Sequence, residues 1–425
     1  MYDDKVKNLS HPQGFTTAIL IIGLLSVVFR FWLWTAYEST PQIAPDSAGY
    51  LQLGIQLAET GIFGVDGRPE ITRTPGYPGV IATFQKLGLG IGGLILVQSL
   101  LSLGIAVIVG TWSKRRFGPS AGALTTFLVA FNFPLNVYSL YVLTEIIFTA
   151  LVTVSAILLL RSTKSEVKKL TFVLTAGLLL GVSVLVRPIT VFAWVPVVIF
   201  ILVFSSRKWV VTITFLLSFA LSPATWVLRN YVETGQPMLS DIGTVNLLYY
   251  QSAGTLAMES GLDFDSQFLI EQARLKQWSV SLTDESFEGQ QRELREKFIS
   301  IAKEHPLSMV LNTARNAGLT LLGYESTELS RVLGIEYKKA RTIAFFVSSL
   351  SLILGFIGAI HLWRRDREFL ILSLLLFSYF VAVSAVSGVG GTRFRVPVEP
   401  ILGIGVSLGL VEVKRFLKRR RLRRD

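Results

Sequence analysis

Apolar residues in this chain come in long runs separated by short polar breaks. The runs lie near the ~20 residues that an α-helix needs to cross a bilayer. Ten spans are read, at roughly 15–37, 91–110, 119–138, 140–160, 170–187, 188–204, 209–228, 342–362, 369–387 and 397–416. The run 119–160 is too long for one helix and divides at Asn132, Pro134 and Asn136, where a turn at the water interface is expected. The run 170–204 divides likewise at Arg187-Pro188, and Lys86 with Gly88, Gly90, Gly92 and Gly93 marks a short interfacial piece ahead of the second span. The stretch 305–323 is long enough to cross, but Asn312, Arg315 and Asn316 in its middle make burial in lipid costly, so it is read as a surface helix. The expected fold is an all-α polytopic membrane protein with outer loops carrying surface helices. Its parts are a seven-span module over 1–228, a loop region over 229–341, and a three-span module with a basic tail over 342–425.

Composition agrees with the pattern: 51% hydrophobic and 16% charged residues exclude a soluble domain or a disordered chain. The chain has no cysteine, hence no disulfide framework and no thiolate nucleophile. His11, His305 and His361 are too scattered for a histidine metal centre. The first apolar run follows a polar stretch and lacks a small-residue cleavage site, so it is read as a retained span. No pair of inverted halves with matching broken helices is found, which counts against a secondary transporter.

The net charge of +12 is an orientation signal. With the N-terminus inside, the cytoplasmic segments collect Lys5 and Lys7, Lys114 to Arg116, Arg161 to Lys169, Arg207 and Lys208, Arg364 to Arg367, and the tail from Lys414. Both termini are therefore expected in the cytoplasm. The tail KRFLKRRRLRRD next to a span reads as topology retention and contact with anionic lipid, not as a nucleic-acid patch.

The polar segments 38–90 and 229–341 then fall on the outer face. In the first, Leu51, Ile55, Ala58 and Ile62 recur at helical spacing, which suggests a helix along the membrane surface with Asp46 or Ser47 as its N-cap. The sequence Arg73-Thr74-Pro75-Gly76-Tyr77-Pro78 reads as a rigid turn back to the bilayer. In the second, 264–303 reads as polar helix. The stretch 239–258, rich in glycine and tyrosine, reads as a loop that contacts a ligand through Tyr249.

Asp46 can serve as a general base at the membrane interface, or simply as a helix cap. Glu145 sits inside an apolar run, where a carboxylate calls for a function or a specific partner. Arg73, Arg187, Arg229, Arg393 and Arg395 all fall at the outer level, where planar guanidinium forks suit a phosphate. Snorkelling at helix ends is the alternative for each arginine. Tyr50 and Tyr77 complete the candidate substrate-binding residues. Gly388, Gly390 and Gly391 form no nucleotide fingerprint.

PDSAGYLQLGIQLAETGIF followed by RTPGYP resembles the first outer loop of the GT-C membrane glycosyltransferases. The nearest subgroup is the bacterial relatives of protein O-mannosyltransferases and of the lipid A aminoarabinose transferase. YVLTE at 141–145, VRP at 186–188, LRNYVETG at 228–235 and TRFRVPVEP at 392–400 follow in that family's order. The resemblance implies transfer of a sugar from a polyprenyl-phosphate carrier to a hydroxyl of a protein, lipid or glycan. Transfer would take place at the outer face of the bacterial plasma membrane, with inversion and without nucleic acid. It also implies that Asp46 is the catalytic carboxylate. Ser47 stands where the family often has a second acidic residue, and a divalent metal is left open. A transporter or flippase of a lipid-linked saccharide is the other reading, binding pyrophosphate through the same arginines.

Overall fold

The computed structural model describes residues 12–65, 67–164, 168–282, 286–323 and 325–421. Lys5, Lys7, His11 and the last residues of the basic tail lie outside them. The N-terminal part contains α1 (Pro12–Ala36), α2 (Pro45–Thr60), a two-stranded antiparallel hairpin of β1 (Gly64–Val65) and β2 (Arg68–Pro69), and α3 (Gly76–Lys86). It continues through α4 (Gly90–Phe117), α5 (Pro119–Ala130), α6 (Phe133–Tyr138), α7 (Glu145–Ser162), α8 (Lys169–Val186), α9 (Trp194–Phe204) and α10 (Lys208–Thr234). The middle part holds α11 (Ile242–Asn246), a π-helical turn (Leu247–Ser252), α12 (Ala253–Glu259), α13 (Phe264–Val280), α14 (Phe287–Glu304), α15 (Pro306–Leu322) and α16 (Ser326–Leu333). The chain closes with α17 (Tyr337–Arg365), α18 (Arg367–Val386) and α19 (Glu399–Arg421).

Eight helices among the described residues are long and apolar enough to cross a bilayer. The third and sixth expected spans are shorter than read: α5 has 12 residues and α9 has 11. At 1.5 Å per residue each is about 17–18 Å long, short of the ~30 Å hydrocarbon core. Both nevertheless lie on paths that join the two ends of the bundle. One end is marked by Arg187, Glu145, Arg393 and Asp46, the other by Arg116 and Lys164 with Asp366 and Glu368. The segment 188–204 leaves Arg187 and brings Phe204 beside Arg116 and Lys164. The segment 117–145 returns from Arg116 to Glu145 by way of α5 and α6.

The break between α5 and α6 is not the water-facing turn expected at Asn132, Pro134 and Asn136. Pro134 and Asn136 are buried in protein, and so is all of α6. A helix broken among apolar neighbours leaves carbonyls without partners, and protein donors must supply them. The Ala130 carbonyl accepts from Ser26 Oγ at 3.1 Å and from Asn136 Nδ2 at 3.0 Å, with Arg30 Nη1 at 3.5 Å. Asn132 Oδ1 caps α6 by accepting from the Leu135 N–H. Arg30 also donates to Ser102 Oγ at 3.2 Å, so the buried cation sits at the negative end of a helix dipole. Arg30→Met is therefore expected to lower stability by about 2–3 kcal/mol, read as a loss of melting temperature in detergent, with the spans still inserted.

Packing between the long helices uses small residues. Gly358 on α17 lies so close to α19 that an added Cβ would meet the Gly405 carbonyl at 2.0 Å. The middle part departs from the loop expected at 239–258, which is helical throughout most of its length. Its glycines are not breakers here. Gly254 gives room for the Asn312 side chain of α15, and Gly388, at φ +75°, lies against the Gln251 backbone. In α15 the polar residues Asn312, Asn316 and Thr320 face inward, while Leu307, Val310 and Leu311 are exposed. Arg315 lies over the Phe264 ring.

Candidate active site

The site is built from five segments that end at the same level. The first is α2. Pro45 at its first turn fixes the start, and Ser47 Oγ accepts from the Ala44 N–H at 2.9 Å. Ala44, not Asp46 or Ser47, is the N-cap residue, so the Asp46 carboxylate is free to face outward from the first turn, 43% exposed.

The second segment is the turn 72–78. Glu70 Oε1 accepts from the Thr72 and Arg73 N–H groups at 2.6 and 2.8 Å, which fixes the backbone at Arg73. The Arg73 guanidinium stacks on the Tyr50 ring, 4.5 Å from its centroid, and its Nη2 lies 3.7 Å from Asp46 Oδ1. Tyr77 packs edge-on against Tyr50 and donates to Gln98 Oε1 at 2.8 Å, deep in the core. Gly76 meets the backbone at Leu185 so closely that a Cβ would lie 2.6 Å from its carbonyl oxygen. That approach sets Arg73 beside Arg187, which ends α8.

The other three segments, the start of α7, the end of α8 and the turn at Arg393, meet at a single carboxylate. Glu145 opens α7 with its side chain 0% exposed. Its Oε1 accepts from Arg187 Nη1 at 2.9 Å and from Arg393 Nε. Arg393 stands in the 3₁₀ turn Thr392–Phe394, and its Nη1 donates to Asp46 Oδ2 at 2.7 Å. Arg393 thus bridges the two carboxylates, and Arg187 is braced against the Phe394 ring at 4.9 Å. Burial pushes the Asp46 carboxyl up, but Arg393, then Arg73 and Arg187, outweigh it and hold the group below its usual value. Asp46 is thereby an ionised acceptor at neutral pH. Arg393 is held the other way: burial lowers its pKa, and Glu145 with Asp46 raises it further than burial lowers it.

The remaining candidates lie elsewhere. Arg229 Nη1 and Nη2 donate to the carbonyls of Glu70 and Phe63 at 2.9 and 2.8 Å, fastening the hairpin to α10. Arg395 is 2% exposed and paired with Glu399 at 2.6 Å within one helical turn. Tyr249 lies on the π-helical turn, where its carbonyl accepts from Gln272 Nε2. One residue not singled out from the sequence belongs near the cluster. Glu325 accepts from Tyr138 Oη at 2.6 Å, and burial, with the charges of Glu328 and Glu145, pushes its pKa up against the opposing effects of Tyr138 and Arg393. Its only sequence signal is a carboxylate two residues after Gly323, in the stretch least like any motif.

Among the described residues no group of three histidine or carboxylate side chains gathers where it could hold a metal ion. Asp46 and Glu145 are bridged by a guanidinium, and the Ser47 hydroxyl is engaged with the Ala44 N–H.

Residues 72–227, a little over a third of the chain, match the family model for dolichyl-phosphate-mannose-protein mannosyltransferase. No curated protein matches the chain by sequence. Across 96% of its length the chain superposes on the oligosaccharyltransferase AglB from Archaeoglobus fulgidus, in complex with an inhibitory peptide and a dolichol-phosphate. The identity is 12% and the TM-score 0.54. The apo form of the Archaeoglobus fulgidus oligosaccharyltransferase gives a TM-score of 0.55, with the same identity and coverage. The chain spans about half the length of that protein, 51% of it. ArnT from Cupriavidus metallidurans aligns over 92% of this chain and 78% of its own at 14% identity, with a TM-score of 0.39, too low to carry a fold assignment. The chain shares the fold of the aligned part of the Archaeoglobus fulgidus oligosaccharyltransferase, and it is an integral membrane protein.

Proposed function

We propose that this chain is a membrane glycosyltransferase that moves a sugar from a polyprenyl-phosphate carrier to an acceptor hydroxyl. The observation that carries this reading is the cluster of Asp46, Arg73, Arg187 and Arg393 around the buried Glu145. It combines one exposed carboxylate with three arginines whose forks suit phosphate oxygens. The match to the mannosyltransferase family model over 72–227 supports the same chemistry, since that stretch contains Arg73, Glu145 and Arg187. Asp46 lies before it.

In this reading the donor phosphate draws Arg73 and Arg393 from Asp46 and leaves the carboxylate ionised beside the acceptor. Asp46 accepts the hydroxyl proton as the oxygen bonds to the anomeric carbon. The bond from that carbon to the phosphate oxygen breaks with its electron pair on the leaving group. One displacement inverts the anomeric centre, and the arginines stabilise the departing polyprenyl phosphate. Glu145 is a positioning residue that aims Arg187 and Arg393. The basic loops at the opposite end support an extracytoplasmic site at a bacterial plasma membrane, where a lipid-linked donor would replace nucleotide sugars. A flippase is less well supported. Arg30, a buried cation within a long span, is tied to the Ser26 and Ser102 hydroxyls and to the Ser26 and Ala130 carbonyls rather than aimed at a passage.

The test is a pH profile of transfer. A base whose pKa is depressed in the free enzyme stays ionised to lower pH, so the acid limb of kcat/KM should fall below the ordinary carboxylate value of about 3.9. Arg73→Gln removes one lowering charge, and the limb should move toward higher pH while carrier binding weakens. An acid limb that does not move with Arg73 would detach Asp46 from the proton transfer.

A further inference from the structure

A second charged assembly lies at the other end of the bundle, away from the chemistry above. A cavity of about 380 Å³ opens there between Arg116, Lys164 and the run 365–368, with Phe117 and Phe204 forming an apolar side. Its two carboxylates are already engaged. Asp366 caps α18 by accepting from the Phe369 N–H at 3.1 Å and takes the Arg116 fork, with Nη2 to Oδ1 at 2.7 Å. Glu368 accepts from Lys164 Nζ at 2.8 Å and from Thr163 Oγ1 at 2.7 Å.

Arg365 and Arg367 are different. Both are exposed, and neither pairs with a carboxylate in the described structure. Arg367 Nε donates only to the Trp363 carbonyl at 3.2 Å, and its guanidinium lies over the Trp363 ring. The cavity wall therefore holds four cations against two carboxylates, and the two unmatched cations are arginines. On its apolar side Phe204 ends α9, where Val203 and Leu202 are exposed toward the lipid-facing surface.

We propose that this cavity binds the phosphate of an anionic membrane lipid. Arg365 and Arg367 supply the forks, Asp366 and Glu368 hold Arg116 and Lys164 in place as the wall, and the acyl chains run along Phe204 and Val203. A guanidinium fork matches phosphate oxygens two at a time. The apolar side facing lipid favours a headgroup over free phosphate. The site does not depend on the proposed transferase activity.

The test uses the full chain in nanodiscs of phosphatidylcholine with a minor fraction of phosphatidylglycerol, counting retained lipids by native mass spectrometry. Arg365→Gln with Arg367→Gln should weaken phosphatidylglycerol retention by at least about tenfold. The tail pair Arg419→Gln with Arg420→Gln removes the same charge and should leave retention unchanged. The single variant Arg365→Gln, checked for an unaltered melting temperature, should give an intermediate loss. Equal losses from the two double variants would overturn the site, because only diffuse surface charge would then be at work. Displacement of phosphatidylglycerol by millimolar inorganic phosphate would overturn the lipid assignment.

Discussion

Asp46→Asn is expected to abolish sugar transfer while leaving the fold and carrier binding in place. The asparagine keeps the shape of the side chain at the first turn of α2, where Ala44 and Ser47 carry the capping. What it loses is the proton acceptor, and a positioned general base contributes about 10²–10⁴-fold to a rate. The fall should appear in kcat. KM for the carrier should hold or drop, because Arg73 and Arg393 no longer have Asp46 as a rival to the phosphate. A single-turnover assay with purified protein checks this. Activity within a few-fold of the parent would remove Asp46 from the mechanism.

Glu145→Ala should have the largest effect on stability. Its carboxylate is fully buried and receives Arg187 and Arg393 together, so its removal leaves two guanidinium groups beside a cavity. Removing one partner of a buried ion pair costs about 3–5 kcal/mol, which should lower the melting temperature in detergent by many degrees. Transfer should fall as well, through loss of arginine aim. Glu145→Gln keeps the shape and one acceptor oxygen, and should recover stability more than activity. If both variants melted like the parent, the bridge through Arg393 would not hold the site together.

Much of this arrangement was legible in the sequence because membranes restrict what a chain can do. Long apolar runs give the spans, and a carboxylate such as Glu145 inside one requires a partner. Arg187 after α8 and Arg393 before α19 stand where chain ends return to one level, and the structure brings both to Glu145. Arg229 and Arg395 carry the same outward signal. Their partners are decided by tertiary contacts that no spacing reveals: two hairpin carbonyls for Arg229, and Glu399 for Arg395. The α5–α6 break falls at the Asn and Pro that mark it but is buried rather than solvent-facing, since Asn and Pro look alike at a water interface and at a buried break. Arg30 and Ser26, some hundred residues away, join Asn136 at the Ala130 carbonyl and make the buried version possible. Tyr249 was read into a loop because glycine and tyrosine suggest one, although Asn312 fills the space beside Gly254 and the segment stays helical.

The chemistry proposed for this site is the breaking of a sugar–phosphate bond on a lipid carrier. The most direct measurement incubates the purified protein in liposomes with a panel of polyprenyl-phosphate sugars and a mixed protein, lipid and glycan acceptor pool, and quantifies liberated polyprenyl phosphate. Release is expected with at least one donor, stoichiometric with sugar transferred and absent in Asp46→Asn. Binding or transbilayer movement of intact donor without release, identical in wild type and Asp46→Asn, would contradict it.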